Sequence, residues 1–126
     1  MIKNFLVISC TGKNDKLGLK IDNNFFIHEL QTNINKNNLV DIILNFLKKN
    51  EVKLNKNFSV IVNNGPGSFS TIRISLAVAK GMQISKKVAL YGYKDLDLSE
   101  FNLKNIEFLI KKNLLENKLI KPVYIS

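Results

Sequence analysis

Residues that support covalent or metal chemistry are scarce in this chain of 126 residues. It contains one cysteine, Cys10, and one histidine, His28. A single cysteine excludes an internal disulfide, and no cysteine, histidine and aspartate residues surround His28 at the spacing of metal ligands. A nucleophilic Cys10 would need a base and an oxyanion hole, and the sequence assigns neither. We therefore expect no catalytic residue and no metal site, with Cys10 in the core or a turn and His28 structural or solvent-facing.

Long apolar runs are also absent. No stretch approaches the roughly 18 to 20 residues that a membrane span requires, and residues 5–8 are too few for the core of a signal peptide. Because 45% of the residues are hydrophobic, a chain of this length can bury the core of one folded domain. A single cysteine also suits a reducing compartment. These features predict one domain over residues 1–126, located in the cytoplasm.

Acidic residues and arginine are few, whereas lysine is abundant. The chain has 19 basic and 10 acidic residues, a formal net charge of +9, and Arg73 is the only arginine. The lysines are distributed along the chain with many asparagines and isoleucines, a bias typical of AT-rich coding sequences. Since nucleic-acid-binding proteins generally cluster their charge and use arginine for bidentate contacts, we disfavour sequence-specific binding. A small basic domain that binds tRNA or other RNA electrostatically remains an alternative.

Hydrophobic patterning predicts an α/β fold whose mixed sheet begins with a three-stranded meander. Residues 4–9 form a short apolar run, as in a buried strand, and residues 16–22 alternate as in a half-buried strand. Asn23 and Asn24 form the predicted two-residue turn between the second and third strands, since asparagine tolerates positive φ. Further strands are predicted at residues 25–30, 58–63, 88–92, 106–110 and 122–125.

Two predicted helices, residues 37–50 and 69–85, carry more apolar residues than one sheet-covering stripe requires. The second helix is apolar nearly all round, and Ala77 and Gly81, four residues apart, would let another helix approach closely. In a chain this short, part of the cover for these helices must come from outside. We therefore predict a partner interface formed by Leu39, Ile43, Phe46, Leu47, Phe69, Ile72, Arg73, Leu76, Ala77, Lys80 and Gly81.

The segment between the fourth strand and the second helix is the most informative motif. Gly65 and Gly67 permit backbone conformations that other residues disfavour, and Pro66 stiffens the turn between them. Ser68 is placed to cap the helix that follows, whose exposed N–H groups could hold an anion. The Gly-Lys-Ser/Thr ending of a phosphate-binding Walker loop is missing. On spacing alone, a tight strand-to-helix turn with a cap is the favoured interpretation.

Three segments can be compared with known families: GPGSFSTIRISLAVAKGM at residues 65–82, VALYGY at residues 88–93 and PVYI at residues 122–125. Together they resemble the TsaB (YeaZ) family. The resemblance implies an actin-like ATPase (ASKHA, ribonuclease H-like) lobe with flanking helices. Because family members are usually much longer, it also implies a single N-terminal lobe without most of the second lobe.

The resemblance further implies a function. TsaB proteins are non-catalytic partners of TsaD, the subunit that transfers the threonylcarbamoyl group in forming threonylcarbamoyladenosine on tRNAs that read ANN codons. TsaE, an ATPase, joins that pair. The resemblance thus implies a scaffold subunit rather than an enzyme, with a TsaD-like and a TsaE-like partner. Homodimerisation through the same helices, and indirect or weak contact with tRNA, stay open. Arg73, which matches a family arginine, is interpreted as part of a structural or interface ion pair.

One departure from the family pattern bears on cofactors. The first strand of family members usually ends in an aspartate at the position that binds phosphate or metal in related ATPases, and Ser9 occupies that position here. A magnesium–nucleotide site would need this carboxylate. We therefore expect no cofactor, with any ATP bound by partner subunits. A nucleotide-binding enzyme or a peptidase of the same fold is the remaining alternative.

Overall fold

A five-stranded mixed sheet organises the protein. The computed structural model describes residues 2–31, 36–117, 120 and 123–125. The strands are β1 (Phe5–Ser9), β2 (Lys16–Ile21), β3 (Asn24–Glu29), β4 (Ser59–Asn63), β5 (Gly67–Ser68), β6 (Ala89–Tyr93) and β7 (Tyr124–Ile125). The helices are α1 (Lys36–Lys49), α2 (Phe69–Lys86) and α3 (Leu103–Lys111). The large sheet has the order β3-β2-β1-β4-β6, and β5 and β7 form a small parallel pair.

The predicted meander is present, with its turn one residue earlier than expected. β2 pairs antiparallel with both β1 and β3. Ile21 pairs with Asn24, so the two-residue turn is formed by Asp22 and Asn23 rather than by Asn23 and Asn24. Asp22 takes the positive φ of 54°, a conformation that aspartate tolerates almost as well as asparagine.

Two helical crossovers place α1 and α2 on the same face of the sheet. β1, β4 and β6 run parallel, which requires a connection over the sheet between successive strands. The main core lies between these helices and the alternate side chains of the strands, including Leu6, Ile8, Val60 and Val62. A second core on the other face packs Phe5, Val7, Ile61 and Tyr93 against residues of α3.

The predicted strand at residues 106–110 is wrong, because this segment belongs to helix α3. Ile106 and Leu109 are both buried and lie three residues apart, which suits one face of a helix. The side chain of Asn102 caps the helix by accepting a hydrogen bond of 2.8 Å from the Asn105 N–H. A short apolar run fits both periodicities, and only packing against the second core decides between them. The predicted last strand is confirmed at Tyr124–Ile125, while Pro122 lies outside the described residues.

Candidate functional site

The turn between β4 and α2 is held by backbone hydrogen bonds to three other segments. The Ser68 N–H donates to the Thr11 carbonyl at 2.9 Å, and the Gly67 N–H donates to the Val123 carbonyl at 3.2 Å. The Asp95 N–H donates to the Gly65 carbonyl at 2.8 Å. The turn therefore joins the ends of the parallel strands, and the N–H groups of Gly67 and Ser68 are used internally rather than offered to an anion.

The glycines of this turn are required by close backbone approach. Gly65 has a φ of 105°, and a Cβ atom there would collide with the Val123 carbonyl oxygen. A Cβ atom on Gly67 would lie 2.7 Å from the Thr11 carbonyl oxygen. Ser68 caps α2 as predicted, accepting from the Thr71 N–H at 3.4 Å and donating to the Thr71 hydroxyl at 2.7 Å. These residues form a structural turn and cap.

A buried polar cluster lies beside the turn, at the carboxyl ends of β1, β4 and β6. The amide nitrogen of Asn63 donates to Asp95 Oδ1 at 2.9 Å and to Ser9 Oγ at 3.3 Å. Burial raises the pKa of the Tyr93 phenol, and the hydroxyl of Tyr93 has no hydrogen-bond partner within the described residues. Apart from the carboxylate of Asp95, which is already bonded to Asn63, the cluster consists of neutral amides and hydroxyls. The expectation of no cofactor stays a prediction.

Asp15 and Cys10 also lie at this end of the sheet. Asp15 holds a turn, and Cys10 is buried in the core. Asp15 Oδ1 accepts from the backbone N–H groups of Thr11 and Gly12 at 3.0 and 2.9 Å, which fixes the turn after β1. Burial raises the pKa of the Asp15 carboxyl despite these hydrogen bonds. Burial, and to a smaller extent the charge of Asp15, raises the pKa of the fully buried Cys10 thiol. Cys10 is therefore neither accessible nor ionised at neutral pH.

An apolar groove of about 700 Å³ runs between the outer surfaces of α1 and α2. Its α1 wall consists of Val40 and Leu44, the latter 54% exposed. Its α2 wall includes Phe69, which is 53% exposed at the start of the helix. Both helices bury another face against the sheet, so this groove is a second apolar surface that adjoins the core through Met82. It holds much of the predicted excess of apolar helix surface, although Ile84 of α2 is also 71% exposed and lies outside it.

The groove corrects part of the predicted interface. Six of the eleven predicted residues are buried in the protein's own core, so they cannot contact a partner without unfolding. They are Leu39, Ile43, Phe46, Leu47, Ile72 and Leu76. The other five lie at the surface of α2: Phe69, Arg73, Ala77, Lys80 and Gly81. Four of these line the groove, and Lys80 does not. Whether they contact a partner stays a prediction.

Sequence reasoning missed the groove residues Val40, Leu44, Ile74 and Val78. The signal that could have found them is their spacing, because each helix contributes a pair four residues apart. Such pairs form a stripe beside the core-facing stripe of the same helix. Both stripes are apolar, so periodicity alone does not say which one packs on the sheet.

Arg73 and His28, both singled out from the sequence, each have a contact with an aromatic ring. The guanidinium of Arg73 lies over the ring of Phe69, 5.0 Å from its centroid, and both residues line the groove. This stacking stabilises the two exposed side chains. The ion pair of Arg73 stays a prediction. His28 is exposed on β3, where its ring lies 5.6 Å from that of Phe46. Within the described residues, no three histidine, cysteine or acidic side chains converge as metal ligands.

Comparison with known proteins places these features in a family. Residues 33–104, more than half of the chain, match a protein-family model described as "TsaD: tRNA N6-adenosine threonylcarbamoyltransferase". A curated relative, tRNA threonylcarbamoyladenosine biosynthesis protein TsaB of Buchnera aphidicola subsp. Baizongia pistaciae, is 48% identical over 46 residues. That match spans 36% of this chain and 21% of the relative.

The fold is similar to that of YeaZ from Pseudomonas aeruginosa, with a TM-score of 0.68 and 17% identity. The match covers 77% of this chain and 46% of YeaZ. A second structure, described as similar to peptidase YEAZ from Pseudomonas aeruginosa, gives the same score and covers 45% of that chain. The predicted fold, a mixed sheet with flanking helices as in YeaZ, is thereby confirmed, while the single-lobe organisation stays a prediction. The chain spans less than half the length of these TsaB and YeaZ relatives. None of the described helices has the length and hydropathy that a membrane crossing requires.

Proposed function

The chain belongs to the TsaB/YeaZ branch of the TsaD-related family, and from this premise we propose that it is a non-catalytic partner subunit of a TsaD-like threonylcarbamoyltransferase. In this role it supports threonylcarbamoyladenosine formation on tRNAs that read ANN codons. A TsaE-like ATPase completes the assembly, and any ATP binds to the partner subunits.

The observation that carries this proposal is the apolar groove between α1 and α2. Exposed side chains from both helices form one continuous surface, and isolated domains rarely expose such a surface without a partner. The groove is long and flanked by helices, which suits a helix packed from another subunit. A Cβ atom added at Gly81 would meet no other atom within 4 Å, so a partner backbone can approach closely there.

Catalysis by this chain alone is disfavoured by the chemistry of its carboxyl strand ends. A nucleotide phosphotransferase needs a carboxylate on β1 for its metal, and Ser9 stands there. A cysteine peptidase needs an accessible thiolate, and Cys10 is fully buried with a raised pKa. One similar structure is described as similar to a peptidase, but Cys10 of this chain cannot serve as the nucleophile of a cysteine peptidase.

The proposal is tested by co-expression with the TsaD-like protein of the same organism, followed by size-exclusion chromatography with light scattering. We expect a stable complex containing one copy of each protein. Ala77→Arg places a long charged side chain in the groove and should abolish the complex, because an unpaired charge would be desolvated at the interface. Gln83→Arg, which adds the same side chain at an exposed residue of α2 outside both the groove and the predicted interface, is the control and should leave the complex intact.

Three results would contradict the proposal. The two proteins could elute separately, or the Ala77→Arg variant could form the complex normally while remaining folded by circular dichroism. The chain could also form a homodimer that the TsaD-like protein does not displace, in which case the groove serves self-association.

A further inference from the structure

The fold collects exposed lysines at one edge of the sheet, although they are dispersed in the sequence. Two connections lead from the helices into the amino ends of β4 and β6, the first from α1 and the second from α2. Six exposed lysines lie on the last helical turns and in these connections: Lys48, Lys49, Lys53, Lys56, Lys86 and Lys87. β4 and β6 are neighbours in the sheet, so the two connections lie side by side. We call this surface the amino edge.

The charge of the amino edge differs from that of the other end of the sheet. Lys3 before β1 and Lys20 at the end of β2 bring the amino edge to eight lysines, against the two acids Asp22 and Glu51. At the carboxyl edge, counted in the same way, the strand ends, their connections and the first turn of α1 hold four lysines and four acids. The lysines are Lys13, Lys16, Lys36 and Lys94, and the acids are Asp15, Glu29, Asp95 and Asp97. The formal charges are therefore +6 and 0. A compositional bias towards lysine does not explain this asymmetry, since it would enrich both edges.

Helix stabilisation explains only part of the cluster. Lysines in the last turn of a helix interact favourably with its dipole, which accounts for Lys48, Lys49 and Lys86. Lys53 and Lys56 lie in the loop between α1 and β4 and stabilise no helix end. Their charges add to the helix-end charges and raise the positive potential of this surface, which attracts polyanions.

A polar groove of about 250 Å³ lies within the amino edge and offers hydrogen-bond donors. Beside Lys53 and one acid, Glu51, it is lined by Asn4 and Asn55. Their side-chain oxygens are already used, since Asn4 Oδ1 accepts from the Asp22 N–H at 2.9 Å and Asn55 Oδ1 from the Asn57 N–H at 2.8 Å. Their amide NH₂ groups have no acceptor within the described residues. Amide and ammonium donors together suit the oxygens of a phosphodiester backbone.

We propose that the amino edge binds the phosphate backbone of tRNA. The evidence for a phosphodiester polyanion is the cluster of exposed lysines together with the unused amide donors. The choice of tRNA among such polyanions rests on the proposed function. The amino edge shares no residue with the groove between α1 and α2, although Ser85 of the groove is next to Lys86 of the edge in α2.

The test compares two triple variants of equal net charge. The edge variant carries Lys53→Gln, Lys56→Gln and Lys86→Gln. The control variant carries Lys13→Gln, Lys94→Gln and Lys104→Gln, three exposed lysines outside the amino edge. Binding of fluorescently labelled tRNA to the full chain is measured by anisotropy over a salt series. We expect tight binding at low salt, a loss of about tenfold in affinity for the edge variant, and a salt slope reduced by about 3, or about 1 per lysine. The tRNA affinity of the control variant should differ from that of the wild type by less than about twofold.

Equal losses in the two triple variants would overturn the proposal, because net charge alone would then explain binding. Failure of the wild-type chain to bind tRNA at low salt would overturn it too. Binding to phosphatidylserine vesicles without binding to tRNA would assign the edge to a membrane surface instead. Co-elution with the TsaD-like protein is measured on the same samples. If tRNA binding distinguishes the variants while the wild type does not co-elute, the edge assignment is supported and the proposed function fails.

Discussion

The amide nitrogen of Asn63 donates a hydrogen bond of 2.9 Å to Oδ1 of Asp95, joining the end of β4 to the segment that follows β6. The same Asn63 side chain accepts from the Gly65 N–H at 2.9 Å and donates to Ser9. One fully buried amide thus connects three strand ends and orients the turn that begins α2. The position that α2 takes, and with it one wall of the groove, depends on this amide.

Asn63→Ala removes all three hydrogen bonds and leaves Asp95 without its amide donor. We expect the free energy of unfolding to fall by about 2 to 4 kcal/mol, measured by urea denaturation. Asn45→Ala, on the exposed face of α1, is the control and should change stability by less than about 0.5 kcal/mol. Similar stabilities for the two variants would show that the amide network does not hold the turn.

Two glycine-to-alanine substitutions should change the stability of the protein in opposite directions. In Gly67→Ala the new Cβ would lie 2.7 Å from the Thr11 carbonyl oxygen, a backbone atom that cannot move away freely. We expect a loss of about 2 kcal/mol in the free energy of unfolding. In Gly81→Ala the new methyl group has open space within α2, and alanine favours the helix by about 0.5 to 1 kcal/mol. Thermal and urea denaturation of both proteins check the signs, and a destabilised Gly81→Ala would contradict the helix geometry.

Neighbouring residues on α1 should tolerate charge very differently. Ile43 is 1% exposed in the core, whereas Leu44 is 54% exposed in the groove. Ile43→Asp buries an unpaired carboxylate and should unfold the protein, a loss of more than about 4 kcal/mol. Leu44→Asp should lower the free energy of unfolding by less than about 1 kcal/mol and should weaken binding of the proposed TsaD-like partner. Circular dichroism and co-elution separate these effects. A folded Ile43→Asp protein would mean that α1 packs on the sheet through another face.

The stability of the protein should depend on pH through Asp15. Burial raises the pKa of this carboxyl above its ordinary value near 3.8, so the folded state holds its proton more tightly than the unfolded state. Stability from this group is therefore fully present below that ordinary value and is lost as pH rises through the higher folded pKa. Asp15→Asn keeps an acceptor for the Thr11 and Gly12 N–H groups but cannot ionise.

The measurement is the difference in unfolding free energy between the wild type and Asp15→Asn, in urea at pH steps from 3 to 7. We expect the wild type to lose stability relative to the variant as pH rises, because only the wild type must bury a charge. A difference that grew in favour of the wild type with rising pH would mean that the hydrogen bonds outweigh burial and that the folded pKa is depressed.

Much of the architecture followed from local sequence patterns. The strand at Phe5–Ser9, the alternation at Lys16–Ile21 and the long helix at Phe69–Lys86 are strong short-range signals, since one periodicity dominates each segment. The turn at Gly65–Ser68 was predictable for a similar reason, because glycine, proline and a capping serine act within a few residues. The segment at residues 106–110 was not predictable, because five apolar-rich residues fit a strand and a helix equally.

The residue pattern alone shows that α1 and α2 carry more apolar surface than one sheet can cover, and the composition shows that lysine greatly exceeds acid. That Ile43 lies in the core and Leu44 in the groove follows from the fold, because packing on the sheet selects one of two apolar stripes. The fold also determines where the charge lies. Lys53 and Lys86 are 33 residues apart in the chain, yet parallel crossovers bring their connections side by side at one edge, and no local pattern encodes that juxtaposition.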